Sequence, residues 1–400
     1  MNQVINVIRN YWLNSMGVDR DLERLLADRD ISRAMALFQD RDTEVLKALK
    51  EYLPECHAVL SRPDKRRKGR DDYKVQKLPR AWQKQINRIA QFFLLNHPVK
   101  WTCENTDEAS IKAFNAFLEF LKEIRFDVYM RHAKMTAGAE TECAKLYHIY
   151  RDEETNSPRV KIVMLAYSDN YTIRPLFDQY KNLIAFGYGY RLKEGADVVE
   201  HFDIQTPKKI YRCRKEKPGW SVNELPNVTG KINVIYYRQD EEWKDAQWRI
   251  ERDEMLDSRN ADTNEYYGDP IAKVSADVVK GLTDPESVGK MIQLQGKESV
   301  FEYVTLPDDS PTKGAEKKVL RESILSDTLT PDFDFEKMAG LGTLSGEALR
   351  RALISGYIKR NLNIDTYQEL VDREKNLILA IMMNVTHIEL REALRNLKIG

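Results

Sequence analysis

The sequence predicts an α+β fold spread over several substructures, and three patterns carry that expectation. Up to His132 apolar residues recur at helical spacing, as in Leu22, Leu25 and Leu26 followed by Ala34, Leu37 and Phe38. From Glu142 to Tyr237 the pattern changes to short runs of β-branched and aromatic residues bounded by Gly, Pro and Asn. After Asp240 long charged helices return. At 400 residues the chain exceeds what one hydrophobic core serves, so two or three domains are expected.

The elements follow in order. Val4 to Ala58 reads as helical, with charged faces between the apolar positions. Arg62 to Arg70, RPDKRRKGR, is a basic loop punctuated by Pro63 and Gly69. It is read first as a solvated linker and second as a phosphate contact, because no aromatic residue is interleaved in it. In LPRAWQKQINRIAQFFLLNHPVKW, Trp82, Ile86, Ile89, Ala90 and Phe93 share one helical face and Asn96-His97-Pro98 ends it. Val99 to Thr102 is then expected as a strand, and Ile111 to His132 as one amphipathic helix through Phe114, Phe117, Leu118, Leu121 and Ile124. The runs AKLYHIYRDE, RVKIVMLAY, NLIAFGYGYRL, DVVEHFDIQTPKKIYRCR and INVIYY supply a strand-dominated domain.

Asp240 to Tyr267 reads as one charged helix ended at Gly268-Asp269-Pro270. PIAKVSADVVKGL and KMIQLQGKESVFEYVTL alternate like strands around a short helix near Asp284-Pro285, giving a small α/β insertion. GAEKKVLRESILSDTL returns to helix and stops at Thr330-Pro331, since Pro331 disfavours helical geometry at the residue before it. PDFDFEKMAGLGTLSG carries three glycines and reads as a loop, after which a long helix or pair of helices starts with Ser345 as N-cap and Glu347 in its first turn.

Composition excludes several classes. Lys plus Arg and Asp plus Glu both total 63, so nothing biases the whole chain toward nucleic acid or a membrane surface. The apolar run Leu377 to Met383 is far shorter than the roughly 20 residues of a bilayer-spanning helix. MNQVINVIRNYW lacks the features of a cleavable signal, so a chain made and kept in the cytoplasm is expected. Cys56, Cys103, Cys143 and Cys213 form no CxxC pair and read as reduced, structural thiols.

Catalytic motifs are also missing. Gly187-Tyr-Gly189 continues as Tyr-Arg-Leu rather than completing a dinucleotide fingerprint, and GxxxxGK[ST], GxSxG and HExxH do not occur. His132, His148 and His201 fall in patterned helices or strands. Asp332, Asp334 and Glu336 offer a possible divalent-metal cluster, and beside Phe333 and Phe335 they read as a solvated loop with two apolar anchors before a metal site. No catalytic residue, metal or cofactor is expected, and a structural or assembly role gains weight.

The order of segments is more informative than any single motif. INVIYYRQDEEWKDAQWRIERDEMLDSRNADTNEYYGDPIAKV resembles the signature of tailed-bacteriophage portal proteins, through Ile232 to Tyr237, Glu242-Trp243, Ser258, Asn260 and Ile271 to Val274. QKQINRIAQFFLLNHPVKW is similar to the helix and G-x-P-V-like turn of that family, with Asn96-His97-Pro98-Val99 lacking the usual glycine. TPDFDFEKMAGLGTLSGEALRRAL resembles its PD…SG-x-AL element through Pro331, Asp332, Ser345, Gly346, Ala348 and Leu349. Together the three cover about Leu78 to Leu353.

The resemblance implies a phage portal fold of the siphophage type. It implies N-terminal helices and a mixed α/β wing at 1–239, a stem helix at 240–267, a small α/β clip at 268–314, a second stem helix at 315–330, a tunnel loop at 331–344, and a long wing helix with a C-terminal segment at 345–400. The helical crown of the family has no counterpart before Gly400. It further implies a ring at one capsid vertex, typically a dodecamer, whose heterologous contacts close on themselves. Major capsid protein, the packaging terminase motor, head-tail adaptor proteins and double-stranded DNA bound without sequence readout are the implied partners, and the virion the implied location.

Within that frame Lys337 is the one cation of a flexible apolar tip with Met338, Ala339, Gly340, Leu341 and Gly342, which would touch moving DNA. Trp243, Trp248 and Ile250 are candidate intersubunit anchors, with packing inside one subunit equally open for them. Two other readings stand beside this one. A nucleic-acid-binding scaffold would use the basic loop, and a metal-dependent nuclease would use Asp332, Asp334 and Glu336.

Overall fold

The computed structural model describes residues 18–66, 72–268 apart from Ala196 and Pro218, four short strands between Ile271 and Val304, and residues 310–333, 347, 350–351 and 353–400. They fold into two compact units. The first takes the chain up to Leu53 with Gln83–Lys244 and Thr328–Gly400; the second takes Pro54–Trp82 and Asp245–Asp327. The basic loop and its flanks therefore belong with the charged helices and not with the N-terminal helices.

In the first unit α1 (Val18–Ala27), α2 (Ile31–Met35) and α3 (Asp42–Tyr52) open the chain, followed by α4 (Trp82–Leu95), α5 (Glu108–Glu123) and α6 (Phe126–Glu140). Eight strands come next: β1 (Glu142–Arg151), β2 (Pro158–Leu165), β3 (Thr172–Phe177), β4 (Leu183–Glu194), β5 (Asp197–Gln205), β6 (Lys209–Lys215), β7 (Trp220–Pro226) and β8 (Val234–Arg238). β3 to β7 form an antiparallel meander in chain order, and β1 lies between β2 and β8 in a separate sheet. Leu22, Leu26, Ile31, Ala34 and Phe38 pack on Leu176, Ala185, Phe202 and Ile204 of the meander. The larger core joins Phe117, Phe126 and Met130 to Tyr147, Ile162 and Tyr237, and to Leu377, Ile378 and Ile381 of a long helix described below.

The Gly-Tyr-Gly of β4 has a packing explanation. A Cβ on Gly187 would lie 2.5 Å from the Phe202 ring, and one on Gly189 would lie 2.5 Å from Thr172 Oγ1. Glycine lets the neighbouring strands approach at both positions.

Several expected boundaries shift. Val99 to Thr102 is not a strand; just after it Cys103 forms an isolated bridge with Ile399. Ile111 to His132 is two helices, broken where Arg125 takes φ 53°. The break turns Phe126 inward, so that Trp101 meets both Phe117 and Phe126 edge-on at 5.4 and 5.7 Å.

The second unit contains α7 (Gln247–Gly268) and α8 (Ser310–Asp327), with β9 (Ile271–Val274) paired to β12 (Phe301–Val304) and β10 (Asp277–Lys280) to β11 (Gln293–Gln295). The helix expected from Asp240 thus starts seven residues later than Asp240 itself, after a short turn at Lys244–Ala246. α8 begins earlier than residue 315 and ends before 330. Arg249 pairs with Asp327, Arg252 with Glu316 at 2.6 Å and Lys317 with Asp257 at 2.5 Å, so α7 and α8 run antiparallel. The helix expected near Asp284 lies outside the described residues. Back in the first unit, α9 (Ile354–Ile381) continues through a π-helical turn at Met382–Thr386 to α10 (Arg391–Arg395).

Candidate functional site

The charged helix of the second unit owes its composition to an extended strap. On α7 the residues Glu254, Ser258 and Asp262 are four apart and share one face. Along that face the backbone amides of Arg80, Leu78 and Gln76 donate in turn to Glu254 at 2.8 Å, Ser258 at 2.9 Å and Asp262 at 2.6 Å. The match is geometric. Two residues of extended chain advance about 6.6 Å and four residues of helix about 6 Å, so alternate amides meet successive helical turns.

Side chains reinforce the ladder. Arg80 reaches Asp253 at 3.1 Å, Trp82 Nε1 donates to Asp253 at 2.9 Å, and Arg62 pairs with Asp262 at 2.7 Å. His57 Nδ1 lies 2.6 Å from Glu254, with both side chains buried. Burial would raise the Asp262 carboxyl, yet the Gln76 amide and the Arg62 guanidinium hold it below its ordinary value. Arg62 is therefore not part of a solvated linker. It is a partly buried structural cation.

A second polar node lies in the first unit, where the chain leaves β8. Glu242 bonds the ammonium of Lys134, which is wholly buried on α6, and that of Lys359 on α9 at 3.0 Å. Burial alone would raise the Glu242 carboxyl; the two cations outweigh it and bring it down to about 2. Gln239 accepts from Lys134 at 2.9 Å and from Tyr367 at 2.7 Å, and Lys359 also donates to the Thr328 carbonyl at 3.0 Å. Glu242 thus ties α6 to α9, and Lys359 extends the node to the segment leading to Pro331. A third buried pair, Lys145 with Glu374 at 2.8 Å, fastens β1 to α9 with Tyr237 donating to the same carboxylate at 3.0 Å.

The sequence-predicted residues separate. Trp243 is buried, donates to Glu51 at 3.0 Å and lies 5.5 Å from the Tyr52 ring, so packing inside one subunit uses it. Ile250 is likewise fully buried, whereas Trp248 is 65% exposed and keeps a surface to offer a neighbour. Lys337, Met338, Ala339, Gly340, Leu341 and Gly342 lie outside the described residues, as do Asp334, Glu336 and the expected cap Ser345. Among the described residues no group of His, Cys, Asp and Glu is arranged to hold a metal ion. The four cysteines are free thiols, and no described helix is long and apolar enough to cross a membrane.

The family described as phage portal protein, SPP1 Gp6-like, matches residues 38–390. The chain belongs to the phage portal family. The matched span of this portal chain takes in the strap, both long charged helices and the Glu242 node. Among solved structures, a chain from the virion of a native gene transfer agent particle is similar at 11% identity, covering 79% of this chain and 78% of that one with a TM-score of 0.36. No curated protein matches.

Reading the sequence missed the portal strap and the Glu242 node for the same reason. Each joins residues more than a hundred positions apart. A signal for the strap did exist in the four-residue spacing of Glu254, Ser258 and Asp262, short polar acceptors on a face where an isolated helix would gain nothing from them.

Proposed function

We propose that this portal chain assembles into a closed ring at one capsid vertex, through which double-stranded DNA passes during packaging and ejection. In the same reading the ring docks the packaging motor and the head-tail adaptors, and the chain performs no catalysis of its own. The observation that carries it is the family match over residues 38–390. The twofold division into units supports assigning α7 and α8 to the stem, β9 to β12 to the clip and the first unit to the wing; the tunnel loop at 331–344 rests on the family resemblance.

A ring also accounts for surface that a monomer leaves uncovered. Ile354, Ile358 and Leu362 recur every four residues of α9 and are 56, 44 and 69% exposed, with Tyr357 beside them. Contiguous exposed apolar surface of this kind marks an interaction face. A neighbouring copy in a heterologous ring supplies the cover.

Electron microscopy of the purified chain, with symmetry counted in end-on views, tests the reading. A ring of about twelve copies with an open channel is expected from the symmetry of the family; a monomer or dimer under every assembly condition would sink it. Replacing Lys337 and removing 338–342 should impair genome packaging or retention, and unchanged packaging would refute the role given to that loop.

A further inference from the structure

The basic run after Ser61 divides in two. Arg62 is spent on Asp262 and on the Gln76 carbonyl, whereas Lys65 and Arg66 are exposed and carry no ion pair among the described residues. The strap folds back so that Lys65 pairs with Tyr73 in an antiparallel bridge, with the Lys65 ammonium 5.9 Å from the Tyr73 ring centre. Arg259, also exposed and without an ion pair among the described residues, projects from α7 into the same place. These groups line an open cavity of about 880 Å³ together with Arg62, Val75, Met255, Asp262 and Thr263. Four cations face one carboxylate there, in a chain with no net charge.

We propose that this cavity is a binding site for the phosphate backbone of a nucleic acid, contacted without sequence readout. The inference rests on the portal reading, and it concerns a place distinct from the loop after Pro331. Three features favour a polyphosphate. Lys65, Arg66 and Arg259 form no salt bridge among the described residues and share Asp262 as the one carboxylate of the cavity, and guanidinium groups fit phosphate oxygens in paired hydrogen bonds. Tyr73 supplies the aromatic surface that the linear sequence lacks beside its cations, and its ring stands under the Lys65 ammonium and helps to hold that cation at the cavity. Four cations around one cavity suit a ligand with a phosphate every few ångströms rather than a single anion.

The test uses the full-length assembled chain and a fluorescein-labelled duplex of random sequence, titrated by anisotropy at several NaCl concentrations. Each cation that neutralises a phosphate contributes about 0.9 to the salt slope, so Lys65→Ala/Arg66→Ala/Arg259→Ala should flatten it by about 2.7. A fourfold rise in salt then weakens binding about 40-fold less for the variant than for the native chain. Lys112→Ala/Lys122→Ala/Lys193→Ala, which removes three exposed lysines of the first unit, should leave the slope unchanged. An unchanged slope in the first variant, or an equal change in both, overturns the site. Loss of fluorescent poly-L-glutamate binding with duplex binding intact also overturns it, assigning the cavity to an acidic protein instead. Micrographs of the same samples keep the questions apart, because a ring with unaltered duplex binding refutes this site alone and the lack of any native ring counts against the portal reading.

Discussion

Replacing Glu242 by Gln keeps the shape of the side chain and removes the charge that two buried lysines share. The folded carboxyl sits at about 2 against an ordinary value of 4.5. Each pH unit between the folded and the ordinary value is worth about 1.4 kcal/mol, so that depression corresponds to about 3 kcal/mol of stability at neutral pH. Breaking a buried ion pair by deleting one partner costs about 3–5 kcal/mol, a compatible figure reached independently. Because the folded value is depressed, the contribution is complete above the ordinary value and drains away as the pH falls through about 2. Urea unfolding of dilute native and Glu242→Gln chains at a series of pH values should show a loss of about 3 kcal/mol at pH 7, shrinking as the pH falls from about 5 toward 2. Glu242→Leu/Lys134→Met/Lys359→Met should recover most of it, since no unpaired charge stays buried. A loss under about 1 kcal/mol, or the same acid dependence in both chains, would refute the assignment of this node.

Three further outcomes follow from the geometry. Ser258→Ala removes the acceptor of the Leu78 amide, so a loss of about 1 kcal/mol and faster hydrogen exchange at Leu78 are expected; an unchanged exchange rate at that amide contradicts the ladder. Gly138→Ala sets a Cβ 2.0 Å from Asn87 Oδ1, and Asn87 is held by its 2.8 Å bond to the Met135 carbonyl. A loss of about 1–3 kcal/mol should appear in thermal melting, and a variant as stable as the native chain would show that α4 and α6 yield there. Ile358→Asp/Leu362→Asp alters residues that stand exposed on a single chain, so monomer melting should hold while sedimentation shifts from ring to monomer; intact rings would free that face of α9 from the interface.

Much of the fold was legible because it is written in local period. The strands from β1 to β8 appear where β-branched and aromatic residues cluster between turn residues, and α5, α7, α8 and α9 appear where apolar spacing or charge composition marked helix. Boundaries were less legible. Arg125 breaks a helix with a left-handed backbone that neither Gly nor Asn announces, since Phe126 gains a core position by the turn. α7 starts late because Glu242 and Trp243 are drawn into the first unit by Lys134, Lys359, Glu51 and Tyr52.

By itself, then, the sequence determined the α+β class, the order of segments and, through that order, membership of the portal family. Tertiary structure alone decided which charges are structural and which are available. RPDKRRKGR reads as seven charged residues of one kind of surface, yet Arg62 is paired with Asp262 while Lys65 and Arg66 stand exposed without an ion pair among the described residues, in an open cavity with Arg259 and Tyr73. The physical reason is that a charge is defined by its partner, and the carboxylate that pairs with Arg62 comes from a helix 200 residues further along the chain.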